Sequence, residues 1–294
     1  MSPDDLKIRQ RLLPSRYGWA VFAVSFLVMF LAAGIIMQIM SGLIHDARAR
    51  ILTVSVLQGA LIFVTPAFIT WWLTSARPAA AMGIDRCVAP RWALWAIVLY
   101  LLAYPAIDQT TFWNDHLHLP ASMSQIEQTF RNWEDSGAVA TQAILDTSSI
   151  GGLIVNILII GVFTGFAEET FFRGGLQKLF IRSGMGAAGA IIVSALIFSA
   201  VHMQFFGFIP RTLLGAMFGY VYYRTGSLWA GAGLHALNNS IVVVSAWLTN
   251  RELLDADIDS MFFTTGGFPW LFAASCAASI LLIWFTEISS HKKH

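Results

Sequence analysis

The strongest constraint on this chain is a series of apolar runs that recur along nearly its whole length. A run of about 20 apolar residues is long enough to cross the ~30 Å hydrocarbon core of a bilayer as a helix. We recognise eight such runs, at residues 18–40, 52–75, 92–110, 153–178, 187–208, 210–224, 228–248 and 268–288. The sequence therefore predicts an all-α, polytopic membrane helix bundle of about eight transmembrane helices.

Composition excludes several other classes of protein. Hydrophobic residues make up 56% of the chain and charged residues only 12%, against roughly 25% charged in soluble domains. A soluble enzyme, a disordered chain and a disulfide scaffold are therefore excluded. The net charge of +1 gives no basic surface for a phosphate backbone, so we expect no nucleic-acid partner. Cys87 lies in a basic loop and Cys276 in an apolar run, so we expect no disulfide between them.

The distribution of Lys and Arg predicts the orientation, because cytoplasmic loops carry an excess of both. With a cytoplasmic N-terminus, five of the 18 basic residues lie outside, namely Arg48, Arg50, Arg131, Arg211 and Arg251. The other thirteen then lie inside: Lys7, Arg9, Arg11, Arg16, Arg77, Arg86, Arg91, Arg173, Lys178, Arg182, Arg224, Lys292 and Lys293. Both termini are predicted to be cytoplasmic. The first run exceeds the core of a signal peptide, so we expect it to remain as a helix.

The connection at about 110–150 is too long to be structureless in a compact bundle. Ile126, Phe130 and Trp133 are spaced as on one face of a short amphipathic helix at the outer interface. A solvated loop with incidental aromatic residues is the alternative. No repeat or linker divides the chain, so residues 1–294 are predicted to form a single integral membrane domain.

Ionisable residues inside apolar runs need an explanation, since each costs about 2.5–3.5 kcal/mol at the centre of a membrane helix. Three runs carry such residues together with an amide. The fourth reads Glu168-Glu169-Thr170-Phe171-Phe172-Arg173, the fifth reads Phe198-Ser199-Ala200-Val201-His202, and the seventh reads His235-Ala236-Leu237-Asn238-Asn239. In a membrane, residues of this kind face the interior of the bundle by default and indicate a functional site.

Helical spacing predicts how some of these side chains meet. Glu169 and Arg173 are four residues apart and can form an ion pair. Glu168 lies about 100° around the helix and is left free for other partners. His235 and Asn239 are also four apart and can face one point. Phe198 lies one turn before His202, where it can brace the imidazole.

This set of groups suits hydrolysis of an amide. Hydrolysis requires a base that activates water and hydrogen-bond donors aimed at the developing oxyanion. We assign Glu168 with His202 to the first task, and His235 with Asn239 to the second. Glu169, Arg173 and Phe198 are assigned supporting roles, and for the Glu169–Arg173 pair a salt bridge that positions the helix is preferred over a direct role in catalysis. Asn238 is the alternative to Asn239.

In order, the motifs Glu-Glu-x-x-x-Arg, Phe-x-x-x-His and His-x-x-x-Asn resemble those of the CAAX protease and bacteriocin-processing (CPBP) family of intramembrane endopeptidases, which includes the type II CAAX prenyl proteases. The resemblance covers about residues 150–245. It implies a peptidase in which Glu168 and His202 activate water, while His235 and Asn239 form the oxyanion hole. The Glu169 and Arg173 positions match the remaining motif residues.

The resemblance leaves the metal and the substrate open. Family members have been described both as metalloproteases and as glutamate-type proteases. The zinc signature His-Glu-x-x-His is absent, so we expect no cofactor. Zinc held by Glu168, His202 and His235 is the alternative. The partners expected are a peptide or protein substrate, either prenylated or of the bacteriocin-leader kind, and membrane lipid. A bacterial inner membrane is the expected location.

The competing hypothesis is a non-catalytic transporter or scaffold in which the same residues form a proton or ligand relay. Two further features have structural interpretations. Gly161 with Gly165, and Gly215 with Gly219, repeat the small-x-x-x-small pattern of closely packed membrane helices. Asp115, His116 and His118 form a potential metal cluster, but a solvated loop is the preferred interpretation.

Overall fold

A computed structural model describes residues 11–254 and 269–291. The predictions for Lys7, Arg9, Lys292 and Lys293 lie outside these residues. The described part of the chain is helical and has no strands, so the predicted fold class is confirmed. We number the helices α1 (Gly18–Leu43), α2 (Ala47–Thr74), α3 (Pro78–Met82), α4 (Pro90–Asp115), α5 (Ser124–Leu145), α6 (Ile150–Arg182), α7 (Ala187–Ala200), α8 (Phe208–Thr225), α9 (Leu228–Asn250) and α10 (Pro269–His291).

Five helices of the described residues are long and apolar enough to cross a membrane, namely α1, α2, α4, α6 and α10. The other three predicted spans coincide with α7, α8 and α9. Of these, α7 is apolar but has only 14 residues. Helix α8 contains arginine and glycine, and α9 contains histidine, asparagine and glycine. Eight crossings therefore stay a prediction, although each predicted run contains a helix.

The predicted extent of the fifth run, residues 187–208, is wrong, because α7 ends at Ala200. Beyond it the chain turns back, with Met203 in the left-handed region at φ 56°, and α8 begins at Phe208. Asn114 at the end of α4 binds this turn on both sides: its amide donates to Phe205 O at 3.1 Å, and its Oδ1 accepts from Ile209 N at 2.8 Å. His202 consequently lies in the turn and not on a helix.

Helix α6 contains two stretches of wide π-helical turns, Ile157–Phe163 and Thr170–Gln177. Such turns occur often at functional sites, and here they flank the two glutamates. Hydrogen bonds between the second stretch and two neighbouring helices hold it in place. Trp71 Nε1 on α2 donates to Gly174 O at 2.6 Å, and Gln177 Nε2 donates to Gly219 O on α8 at 3.0 Å. The backbone that carries Glu168 and Glu169 is therefore fixed from two sides.

Glycines allow the helices around the site to approach closely, as predicted. A Cβ atom on Gly165 would lie 3.0 Å from Ala236 N on α9, and one on Gly215 would lie 3.3 Å from Ala195 Cα on α7. Both distances are tighter than ordinary van der Waals contact. The packing interpretation of these glycines is therefore confirmed.

The long connection contains the predicted helix, α5, so the loop alternative is wrong. Phe130 of α5 stacks on Phe205 with ring centroids 5.0 Å apart, and Glu134 Oε2 accepts a hydrogen bond from Phe206 N at 3.1 Å. The helix thus packs on the turn that carries His202. Its place at the outer interface stays a prediction. Cys87 and Cys276 are both free, as expected.

Candidate active site

Functional residues predicted from the fifth and seventh runs line one cavity, and two glutamates of the fourth run contact one of them, His235. The cavity has a volume of about 370 Å³. Its walls include His202 from the turn after α7 and His235 and Asn239 from α9, together with Phe198. Glu168 and Glu169 are buried, with 8% and 0% of their surface exposed, and contact His235. The tertiary structure therefore brings the predicted set together.

Glu168 and His202 come close to each other although they lie in different runs. Helices α6 and α7 are joined by a short turn, and Glu168 and His202 lie at similar numbers of residues from that turn. Because α7 ends at Ala200, the chain turns back soon afterwards, and this turn carries His202. His202 is consequently within electrostatic range of both Glu168 and His235.

Glu169 is shared between a guanidinium and an imidazole. Its Oε1 lies 2.9 Å from Arg173 Nη1 and 3.0 Å from His235 Nδ1. Arg173 is also buried and donates from Nη2 to Gly215 O at 2.7 Å. The predicted Glu169–Arg173 ion pair is confirmed. Its contact with His235 was not predicted, because helical spacing carries no information about α9.

Glu168 makes no ion pair with Arg173, and its closest basic partner among the described residues is His235, whose Nε2 lies 3.7 Å from Glu168 Oε2. Sequence reasoning had grouped Glu168 with His202 instead. The imidazole of His235 therefore stands between two carboxylates, with Glu169 on Nδ1 and Glu168 near Nε2. An ionised Glu169 can only accept a hydrogen bond, so the hydrogen shared with it belongs to His235 Nδ1.

Aromatic rings fix both imidazoles. Phe198 meets His202 and His235 edge to face, with centroids 5.0 Å and 5.8 Å away. Phe218 of α8 stacks on His235 at 5.0 Å with an interplanar angle of 23°. His202 is held further by a hydrogen bond of 2.7 Å between its Nδ1 and Phe198 O. Since a carbonyl oxygen only accepts, Nδ1 carries the hydrogen and Nε2 is left as an acceptor.

The two asparagines form a chain of polar contacts along one wall. Asn239 Nδ2 donates to Ile160 O at 3.2 Å, and its Oδ1 accepts from Asn238 Nδ2 at 3.3 Å. Asn238 Oδ1 accepts in turn from the hydroxyl of Tyr100 at 3.1 Å. Both asparagines line the cavity. The preference for Asn239 as the oxyanion donor stays a prediction.

Sequence reasoning missed other polar residues of the cavity, including Tyr100, Asp108 and Arg211. Arg211 Nη2 donates to Gln204 Oε1 at 2.7 Å, while its Nη1 is buried without a hydrogen-bond partner among the described residues. A signal existed in the sequence, because Arg211 stands near the start of an apolar run, where a charge is costly. The orientation argument counts Arg211 only as a basic residue of an outer loop.

The zinc alternative stays a prediction, and two observations bear on it. No group of three His, Cys, Asp or Glu side chains within residues 11–254 and 269–291 is placed to hold a metal ion. His235 Nδ1 bonds to Glu169 and His202 Nδ1 to Phe198 O, so a metal would have to bind the Nε2 atom of each ring. In the Asp115, His116 and His118 cluster, the exposed His118 bonds instead to Glu127 of α5 at 3.0 Å.

The fold and the site together define a helical membrane protein with a buried glutamate–histidine cluster beside a polar cavity. Residues 150–241 match the family described as type II CAAX prenyl endopeptidase Rce1-like. This match contains all the predicted site residues. The resemblance to the CPBP family is therefore confirmed.

A bacterial relative resembles the chain over a longer segment. The "putative membrane peptidase YdiL" of Bacillus subtilis is 28% identical over 128 residues, which is 43% of this chain and 51% of YdiL. The match thus spans about half the length of that relative. No solved structure matches the chain.

Proposed function

We propose that the protein is an intramembrane endopeptidase that hydrolyses a peptide bond with water activated by Glu168 and His202. The observation that carries this proposal is the position of two buried carboxylates, Glu168 and Glu169, on either side of His235, which lines a cavity together with His202. Burying so many ionisable groups without a reaction to serve would be costly.

The mechanism follows from the hydrogen positions. Water in the cavity loses a proton to the Glu168 carboxylate as its oxygen bonds to the carbonyl carbon of the substrate. His202, whose Nε2 is free to accept, orients this water and exchanges the proton. The C–N bond then breaks, and the proton passes to the departing amine. The carboxyl product therefore receives the oxygen of the water molecule, and the amine product receives its proton.

The oxyanion role of His235 depends on its charge. With Nδ1–H bound to Glu169, Nε2 can donate a hydrogen bond only when the ring is protonated. The proposed oxyanion role therefore requires the imidazolium form of His235, whose ring has Glu169 on Nδ1 and Glu168 near Nε2. Its Nε2–H and the Asn239 amide would then stabilise the oxyanion. Glu169 and Arg173 act as positioning residues through His235.

The substrate proposed is a membrane-associated peptide or protein segment. The matched family carries the description of a prenyl endopeptidase, so a prenylated C-terminus is one candidate, and an exported peptide is the other. A bacterial inner membrane with cytoplasmic termini is the proposed setting. The cavity of about 370 Å³ is of a size to enclose the residues around one scissile bond.

A comparison of wild type with Glu168→Gln tests the proposal. Peptides and protein C-termini of cells that express each variant are compared by mass spectrometry. We expect cleavage products that disappear in Glu168→Gln, while Asp135→Asn, which alters an exposed carboxylate on α5, keeps them. Expression and thermal unfolding of the purified proteins confirm folding. A wild type that cleaves nothing, or a Glu168→Gln variant that cleaves normally, would favour a relay instead.

Chelation tests the metal alternative. We propose a reaction that needs no metal, so activity of the purified protein should survive exhaustive chelation. Activity that is lost on chelation and restored by zinc would contradict this proposal.

A further inference from the structure

A second polar cavity lies at the end of the bundle where α1 begins and α2 and α6 end. It has a volume of about 760 Å³, and its walls carry four arginines: Arg11, Arg16, Arg77 and Arg182. The distribution of Lys and Arg predicts the cytoplasmic side for all four. We call this cavity the arginine pocket.

The arginine pocket gathers positive charge, and no acidic side chain among residues 11–254 and 269–291 lines it. None of its four guanidinium groups has an ion-pair partner in the part of the chain that the structure describes. Arg182 lies over the Trp71 ring at 4.3 Å. Four like charges around one hollow repel one another, so an anion in the pocket would stabilise the arrangement.

The walls of the arginine pocket are fixed by contacts between distant parts of the chain. Leu13 N donates to Leu73 O at 2.9 Å, which ties the segment before α1 to α2. Trp19 Nε1 donates to Ser183 Oγ at 2.6 Å, which ties α1 to the end of α6. The pocket is thus part of the fold.

An apolar groove adjoins the arginine pocket and runs along α1 and α2. Its volume is about 450 Å³, and its lining includes Leu13, Tyr17, Val24, Val28 and Leu73. Val24 and Val28 are 62% and 56% exposed. Leu73 and Thr74 are neighbours in sequence, and the first lines the groove while the second lines the pocket. A positively charged pocket and an apolar groove therefore lie side by side, as the head-group and acyl-chain parts of a lipid-binding site do.

We propose that the arginine pocket binds the phosphate of an anionic phospholipid, with one acyl chain in the adjoining groove. Guanidinium groups match phosphate geometry well, and basic pockets between membrane helices on the cytoplasmic side are suited to anionic head groups. A zwitterionic head group carries its own cation, which four arginines would repel. This site is separate from the candidate active site and does not depend on the proposed function.

Lipid titration of the full chain in detergent tests the proposal. The probe is palmitoyl-oleoyl phosphatidylglycerol, and binding is followed by tryptophan fluorescence and by the shift in the unfolding temperature. Palmitoyl-oleoyl phosphatidylcholine and inorganic phosphate are titrated in parallel. The double variant Arg11→Gln/Arg77→Gln removes two exposed charges, and Arg91→Gln, outside the pocket, serves as the matched control.

We expect phosphatidylglycerol to bind the wild type and Arg91→Gln equally. Each arginine removed from the pocket should weaken binding about fivefold, and the double variant about 25-fold. Phosphatidylcholine and inorganic phosphate should bind at least tenfold more weakly than phosphatidylglycerol. Equal binding by the double variant, or equal binding of phosphatidylcholine, overturns the proposal. Inorganic phosphate that binds as tightly as the lipid overturns the assignment to phospholipid.

Discussion

Glu169 Oε1 accepts a hydrogen bond from His235 Nδ1 at 3.0 Å and thereby couples the fourth predicted run to the seventh. The same oxygen lies 2.9 Å from Arg173 Nη1. Glu169 therefore orients the imidazole and neutralises the guanidinium at once. The Glu169–Arg173 pair therefore does more than stabilise its own helix, because Glu169 also fixes His235, which lines the cavity.

Removing the guanidinium should be strongly destabilising. In Arg173→Met, Glu169 loses its cation while staying fully buried, and the loss of one partner from a buried ion pair costs about 3–5 kcal/mol. We expect a lower unfolding temperature in detergent. The double variant Glu169→Gln/Arg173→Met removes both charges and should be more stable than Arg173→Met alone. Equal stability of the two variants would show that the pair does not interact.

Space beside Glu169 should be critical. A Cβ on Gly231 would lie 3.0 Å from Glu169 Oε2, whereas one on Gly233 of the same helix would meet nothing within 4 Å. Gly231→Ala should therefore displace the carboxylate and reduce both stability and peptide cleavage. Gly233→Ala is the matched control and should leave cleavage unchanged and stability equal or higher, since Ala favours a helix over Gly. Identical behaviour of the two variants in thermal unfolding and cleavage assays would contradict the geometry.

The two asparagines should differ in their effect on catalysis. If Asn239 donates to the oxyanion, Asn239→Ala should lower kcat by about 10²–10³ with little change in KM. Asn238→Ala should have a smaller effect, since Asn238 contacts Tyr100 and Asn239 but holds no assigned role. Steady-state kinetics on one peptide substrate provide the measurement. A larger loss of kcat in Asn238→Ala would exchange the two roles.

Glu127 should make the start of α5 sensitive to acid. The backbone N–H of Leu119, at 2.8 Å, and then His118 lower the pKa of Glu127 below its ordinary value of 4.5. A lowered pKa in the folded state means that the ionised carboxylate stabilises the fold above the unfolded value. That contribution is lost as pH falls through the folded value.

Hydrogen exchange at residues 117–127 measures this effect. Exchange in the wild type should increase as pH falls below 4.5, after correction for the intrinsic pH dependence of exchange. Glu127→Gln should show fast exchange at all pH values, and Asp135→Asn, at an exposed position of the same helix, should behave as the wild type. Slow exchange in Glu127→Gln would contradict the proposed role of the Leu119 hydrogen bond.

Much of the fold could be predicted because its signals are local. The apolar runs indicate helices, and the i, i+4 spacing of Glu169 and Arg173 indicates their ion pair. The small residues Gly165 and Gly215 indicate close helix contacts. All of these depend on residues near one another in the chain, so helical geometry alone determines them.

The end of α7 and the environment of His235 could not be predicted in this way. Helix α7 ends at Ala200, inside the apolar run, and Asn114, which is distant in sequence, binds the turn beyond it. The ring of His235 is held by Glu169 and Phe218 from two other helices. The sequence by itself determined the helical membrane fold and the set of reactive residues. Only the tertiary structure decided which of them touch, because contacts between helices depend on how side chains from distant segments pack.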